Sequence, residues 1–477
     1  MSSQERAVLT PQAIGVSRRL AEFVVQTRFE DLSPCAVEMT KRVILDALGV
    51  SLAASGLDPL CKPFVEQALS LQGRAESSLI GLAGKVPAEL AALANGALAH
   101  ALDFEDTHEP SQTHPNAAAI PAALAVTEAL GNVDGKSFIT AIAVGCEIAT
   151  RLSLAGDPQD AGGRSKGFYP PPLFSTFGAT AAVAHLLGLD ATQVLDAFSL
   201  TLCRSSYSAE LIDSPQSHLR AIREGFAAQT AVSACQLAAR GVRGFDLPFE
   251  GAAGYYHLYG SGRFDANCLL AGLGERWQIE ATSFKAWPSC RGTHLYLQAA
   301  LALQQRHAFA LTDIDSISVC INPLGKMLVE PAASKKQPVT AIDAKFSIPF
   351  TVASALVHGA VTLASYTPQA LQDSRVLELA ARVSYRLETA VARPRSEGGG
   401  DCLHITLRNG TVLSGSIECL YGSVQQPMSQ AELVQKFVDC ASHAVKPRTR
   451  AVLASAAATL LSLENVSDVG TVLPLLL

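Results

Sequence analysis

Residues 100–118 read HALDFEDTHEPSQTHPNAA and follow directly on a run built almost wholly from Ala and Leu at helical spacing. A solvated acidic loop needs no such apolar lead-in, and a buried segment does not tolerate so many charges without partners. These residue types suit proton transfer. A carboxylate beside an imidazole fixes its tautomer and raises its basicity, which is how a general base near neutral pH is built. Spacing alone describes equally well an Asp103 that caps a helix and a His114 packed in the core before Pro115. A metal site made from Asp103, Asp106, His108 and His114 matches no strong ligand spacing, and no metal is expected.

Three other stretches carry groups of chemical interest. FKAWPSCRGTH (284–294) contains Lys285 and Arg291, cations of the kind that offsets the cost of drying a carboxylate, or else a solvated basic loop. Cys290 and His294 share that loop, but no orienting acid accompanies them as a thiol–imidazole pair. In RAIREGFAAQTAV (220–232), Arg220 and Arg223 stand three apart and share a helix face, either as an anion pocket or as an exposed basic surface. Tyr169 lies between Gly and Pro clusters, where a phenol is a poor base unless a neighbouring cation lowers its pKa.

The elements that must position these groups are mostly helices. From about residue 11 to about 275, apolar residues recur at helical spacing, as in VILDALGVSLAA (43–54), AELAALANGALAHAL (88–102), FITAIAVGCEIATRL (138–152) and FAAQTAVSACQLAARG (226–241). Ala dominates them, so the helices approach closely and several are apolar all round. Gly131, Gly188 and Gly241 are placed as C-terminal caps. After about residue 280, β-like alternation appears in SISVCI (316–321), SYRLET (384–389) and the pair CLHITL and VLSGSIE around Asn409-Gly410, a hairpin signal. AKFSIPFTVASALVHGAVTL (344–363) reads as one helix, and the tail from Met428 is again helical and apolar. The expected fold is mainly α: a helical domain over 1–280, a smaller α+β lid over 281–424, and C-terminal helices over 425–477 that return to the first domain.

The 477 residues are 48% hydrophobic and only 17% charged, with a formal net charge of -6, which is the balance of a soluble globular protein and lacks the basic stripe of a nucleic-acid binder. The eleven cysteines are scattered and never spaced as C-x-x-C, so neither a zinc ribbon nor an iron–sulfur cradle is expected. The opening MSSQERAVLTPQAIG has no apolar h-region and no Arg-rich presequence, which points to the cytoplasm. The longest uncharged stretch, Gly167–Leu189, is broken by Pro170, Pro171 and Pro172 and reads as a buried loop and helix, with no membrane span expected.

Four stretches together, ALDFEDTHEPSQTHPNAAAIPAALA (101–125), KGFYPPPLFSTFGATAAVAHLLGL (166–189), FKAWPSCRGTH (284–294) and AKFSIPF (344–350), resemble the MmgE/PrpD family, and the likeness runs in order over nearly the whole chain. The resemblance implies a helical domain, an α+β lid, a cleft site between them, a homodimer, and catalysis without a cofactor. It also implies site residues. His114 exchanges a proton at carbon, Asp103 orients it, and Thr107 bonds a carboxylate or hydroxyl. Lys285, with Arg220, Arg223 or Arg291, clamps the carboxylates of a small polycarboxylate, and Tyr169 acts from the opposite face. Tyr169 stands where many members carry His. Arg220 and Arg223 replace a Lys and a His, and Met327 aligns with a lid tyrosine of the decarboxylases. The reaction expected first is dehydration of a 2-methylcitrate-like or alkylcitrate-like acid. Cis-aconitate-type decarboxylation, iminodisuccinate-like epimerisation and polycarboxylate binding without catalysis follow.

Overall fold

Glycines decide how closely the central helices pack. The structure, a computed structural model, describes residues 15–82, 84–156, 167–214, 216–387 and 402–476. The stretch 1–14 and the end of SYRLET lie outside them. The fold is mainly α. Its principal helices are α1 (Pro34–Leu57), α2 (Ala88–Ala101), α3 (Asn116–Leu130), α4 (Gly135–Leu154), α5 (Pro171–Leu186), α6 (Ala191–Arg204) and α7 (Glu224–Ala239). A Cβ placed on Gly145 of α4 would lie 2.7 Å from the Gly178 carbonyl of α5, and one on Gly178 would lie 2.6 Å from the Gly145 carbonyl. The two backbones therefore touch. Gly96 of α2 and Gly225 of α7 repeat the arrangement, with carbonyls of Glu224 at 2.7 Å and Leu93 at 2.5 Å. This second crossing lays the last turn of α2 beside residues 220–224.

The caps follow local sequence. Ser33 accepts from the Ala36 N–H at 2.9 Å to open α1, and Asp134 accepts from the Ser137 N–H at 2.8 Å to open α4. Gly131, Gly188 and Gly241 all have positive φ where helices end. Among the described residues one helix, α4, is long and apolar enough to cross a membrane; it is largely buried and packs on α5.

The remainder contains a four-stranded sheet of β3 (Ile314–Ile321), β4 (Val383–Leu387), β5 (Leu403–Leu407) and β6 (Val412–Gly415), ordered β4-β3-β5-β6. Two short strands, β1 (Thr107–His108) and β2 (Thr282–Ser283), precede it. The β5–β6 hairpin turns at Asn409-Gly410, with Gly410 at φ 86°. Helices α8 (Arg291–Arg306) and α9 (Ile348–His358) pack together beside this sheet. The single helix expected over 344–363 is instead two pieces, Ala341–Lys345 and Ile348–His358. Ser347 breaks it: its backbone is extended, its hydroxyl accepts from the Phe350 N–H at 3.0 Å, and Pro349 begins a new first turn. The tail helices α10 (Gln430–Ala441) and α11 (Arg450–Leu461) pack on α1.

Candidate active site

The site is built on the C-terminal end of α2, where carbonyl groups lose their helical partners and the helix dipole favours cations. Three buried lysines from distant parts of the chain meet them. Lys345 donates to the Ala101 carbonyl at 3.4 Å, Lys285 to the Asp103 carbonyl at 3.0 Å, and Lys436 of α10 to the Phe104 carbonyl at 2.8 Å. Asp103 sits in the left-handed region at φ 49°, which ends the helix. Its carboxylate accepts from Lys285 Nζ at 2.6 Å, and both side chains are wholly buried. Burial alone would pull the Lys285 pKa down, but the charges of Asp103 and Glu105 outweigh it and hold the ammonium above its ordinary value. Lys345, also buried, is pulled down by that burial to about 8 against the opposing charge of Asp58.

A two-stranded clip explains how residues far apart in sequence meet. Thr107 pairs with Ser283 and His108 with Thr282 in antiparallel register, which carries Lys285 alongside Asp103. The Cys290 N–H then donates to the Lys345 carbonyl at 3.0 Å, fastening this loop to the AKFSIPF segment.

Asp103 does not orient His114. The Asp103 carboxylate is taken by Lys285, and the carboxylate beside His114 belongs to Glu105. His114 Nδ1 lies 2.9 Å from the Asp106 carbonyl and 3.2 Å from Glu105 Oε1. The same Glu105 oxygen is hydrogen-bonded to Nδ1 of His100, whose ring centre is 5.2 Å from that of His114. Burial, then the Lys285 charge, push His114 down to about 3, and His100 is also well below its ordinary value. Both rings are therefore neutral at pH 7. His114 is partly open, with 17% of its side chain exposed, while Glu105 is sealed.

Arg220 and Arg223 fall at a break between the short helix Leu219–Ile222 and α7, not on one continuous helix, yet both are buried beside this cluster. The Arg220 guanidinium lies 3.4 Å over the Phe346 ring, and its Nε and Nη2 have no hydrogen-bond partner among the described residues. Arg223 donates to the Arg220 carbonyl, lies 3.2 Å from Glu224 and stands 5.3 Å from the Tyr169 ring. Burial opposes its charge, but Tyr169 and Glu224 outweigh that and raise its pKa. Glu224 is pushed up to about 7 by burial, against the pull of Arg223. A cavity of about 640 Å³ adjoins this point, lined by Arg204, Tyr207, Glu210, Gln229 and Arg223. It does not reach His114 or Lys285; among the described residues Arg223 belongs to both the cavity and the cluster.

Two other expected contacts have different partners. Arg291 is held by Glu109, Nε to Oε1 at 2.8 Å, and by the Tyr421 carbonyl at 2.9 Å, so its charge is already matched within the protein. Thr107 donates to the Thr113 carbonyl at 3.2 Å inside the clip. His294 engages Arg291 and the Ser289 carbonyl through its two nitrogens, and burial raises the Cys290 thiol above its ordinary pKa. The metal set weighed from the sequence is not assembled, since His108 bonds Ser111 at 2.8 Å and Asp106 accepts from Asn116 at 2.8 Å. His100, Glu105 and His114 converge instead. His100, Glu105 and Lys345 were not singled out from the sequence, although all three lie inside stretches quoted for other residues.

The family model for the MmgE/PrpD N-terminal domain matches residues 18–266, and that for the C-terminal domain matches 287–460. The chain belongs to the MmgE/PrpD family. Among curated relatives, a cis-aconitate decarboxylase of Mus musculus is 26% identical over 474 residues, covering 97% of this chain and 93% of that protein. The Homo sapiens cis-aconitate decarboxylase is 26% identical over 458 residues, 93% of this chain and 91% of its own. A cis-aconitate decarboxylase-like protein of Aspergillus oryzae is 24% identical over 493 residues, 98% of each. Tyr169, Arg220 and Arg223 are buried together, and Met327 is half-buried against the core.

Proposed function

We propose that this MmgE/PrpD chain decarboxylates cis-aconitate or a closely related unsaturated tricarboxylate, ahead of the dehydration expected from sequence. The observation that supports it is a buried cation group, Lys285 acting on His114 and Arg220 on the neighbouring His100, in a chain similar to cis-aconitate decarboxylases over nearly its whole length. Arg220 has unbonded N–H groups for one carboxylate and Arg223 a charge for another. As the carbon–carbon bond breaks, CO2 leaves and the electron pair stays on carbon, spread into the adjoining double bond and carboxylate. Fixed charges in a water-poor site stabilise that anion. The proton that closes the reaction comes from the Lys285 ammonium, because His114 is neutral at rest. The unit built on the four-stranded sheet acts as the lid, with the division at 1–280, 281–424 and 425–477.

Two observations favour a second reading. A neutral His114 suits removal of a proton from carbon, and Met327 supplies no lid hydroxyl, which together favour dehydration of a 2-methylcitrate-like acid.

The test is proton NMR of the pure protein in deuterium oxide with cis-aconitate, 2-methylcitrate and iminodisuccinate in turn. The expected result is an unsaturated diacid from cis-aconitate carrying one deuterium at carbon. Turnover of 2-methylcitrate alone would install the second reading. Silence with all three would sink both, and a citrate-dependent rise in melting temperature abolished by Lys285→Ala would then identify a binding protein.

A further inference from the structure

Glu105 has no part in the roles assigned so far, yet it is as enclosed as Asp103 and Asp106. It is wholly buried, its Oε1 serves the Nδ1 atoms of both His100 and His114, and its Oε2 has no hydrogen-bond partner among the described residues. The second neighbour of His114 Nδ1 is the Asp106 carbonyl, which can only accept. A nitrogen flanked by a carbonyl oxygen and a carboxylate must itself carry the hydrogen. The free lone pair of neutral His114 is therefore on Nε2, on the ring edge opposite Glu105.

We propose that Glu105 is the positioning residue of this site: it holds His114 in the Nδ1–H form with Nε2 as the proton-transfer atom, and it balances the imidazolium that forms when Nε2 takes a proton. His100 completes the arrangement by fixing Glu105 from the other side. The need for such a partner follows from the surroundings. Burial lowers both imidazole pKa values, Lys285 lowers them further and Arg223 adds to this at His100, while the Asp103 charge is already matched by Lys285. An imidazolium at His114 would otherwise face cations with no anion of its own. The inference rests on the proton abstraction that the second reading above gives to His114, but its first test does not depend on any reaction.

Long-range nitrogen–proton NMR of histidine-labelled protein at pH 7, without substrate, reads the tautomers directly. His114→Gln and His100→Asn assign the signals. The expected pattern is hydrogen on Nδ1 and a lone pair on Nε2 for His114. Hydrogen on Nε2, or zinc added at one equivalent replacing the Nδ1 hydrogens of both rings, would overturn the proposal. In the turnover assay, Glu105→Gln should lower kcat by about 10²-fold or more with KM within about twofold, and Glu105→Asp should restore part of it. Unchanged kcat in a folded Glu105→Gln protein would overturn the role even if the tautomer is as expected. If wild-type protein turns over no polycarboxylate, the reaction assigned above fails while the tautomer result stands by itself.

Discussion

Lys285 and Asp103, 182 residues apart in the chain, form a fully enclosed ion pair at 2.6 Å in which the lysine also bonds the aspartate's own carbonyl. Removing one member leaves the other charged and dry, which costs about 3–5 kcal/mol, whereas removing both costs much less. Asp103→Asn and Lys285→Met should each be strongly destabilising, and the double variant should recover a large part of the loss. Urea denaturation of the four proteins measures the cycle. All three variants should lack turnover, so recovered stability with lost activity separates the two roles of the pair.

The Gly96–Gly225 crossing sets where Arg220 and Arg223 stand relative to the end of α2. A methyl on either glycine would meet backbone within 3 Å, so Gly225→Ala should cost about 1–3 kcal/mol. Because the neighbours are carbonyl oxygens and not flexible side chains, the helices must part. KM for the polycarboxylate should then rise more than kcat falls. An unaltered KM in a destabilised Gly225→Ala protein would show that the crossing does not set the anion site.

Glu224, brought to about 7, faces Arg223 at 3.2 Å. Below that pH it is neutral and leaves the guanidinium to an anionic ligand; above it, the carboxylate competes for Arg223 and repels the ligand. KM should therefore rise as pH passes about 7, and Glu224→Gln should flatten the rise. Initial rates across pH 6–9 check the sign.

His114 and His108 are held at about 3 and about 4, so the folded protein resists protons that the unfolded chain binds once pH falls below about 6.5. The unfolded state carries more protons in that window, and stability falls as pH falls through it. Each histidine contributes a slope of up to about 1.4 kcal/mol per pH unit. His114→Gln should remove one such share, visible as a shallower loss of the urea midpoint between pH 6.5 and pH 4.

Much of the scaffold was legible because it is local. Helical spacing with Gly131, Gly188 and Gly241 marks helix ends, and Asn409-Gly410 marks the hairpin. The break at Ser347 carried its own signal, a Ser two residues before Pro349, which an unbroken apolar run obscured. Of the site, His114, Lys285, Asp103 and the arginines could be named from motifs, but their pairing could not. Asp103 meets Lys285 only because β1 and β2 join segments 175 residues apart. The left-handed turn at Asp103 then brings Glu105, not Asp103, beside His114. Arg291 looked like a free cation because Glu109, its partner, lies on another element.

The lysine capping of α2 ties the site to the order in which the chain is made. Lys285, Lys345 and Lys436 reach the ribosome's exit long after the helix they cap, and Lys436 follows the Phe104 it meets by 332 residues. A nascent or truncated chain that stops before Lys436 leaves the Phe104 carbonyl and the Asp46 carboxylate, which Lys436 meets at 2.7 Å, without their cation in the interior. The carbonyl end of α2 thus stays open in the interior until Lys436 has been made and folded against it.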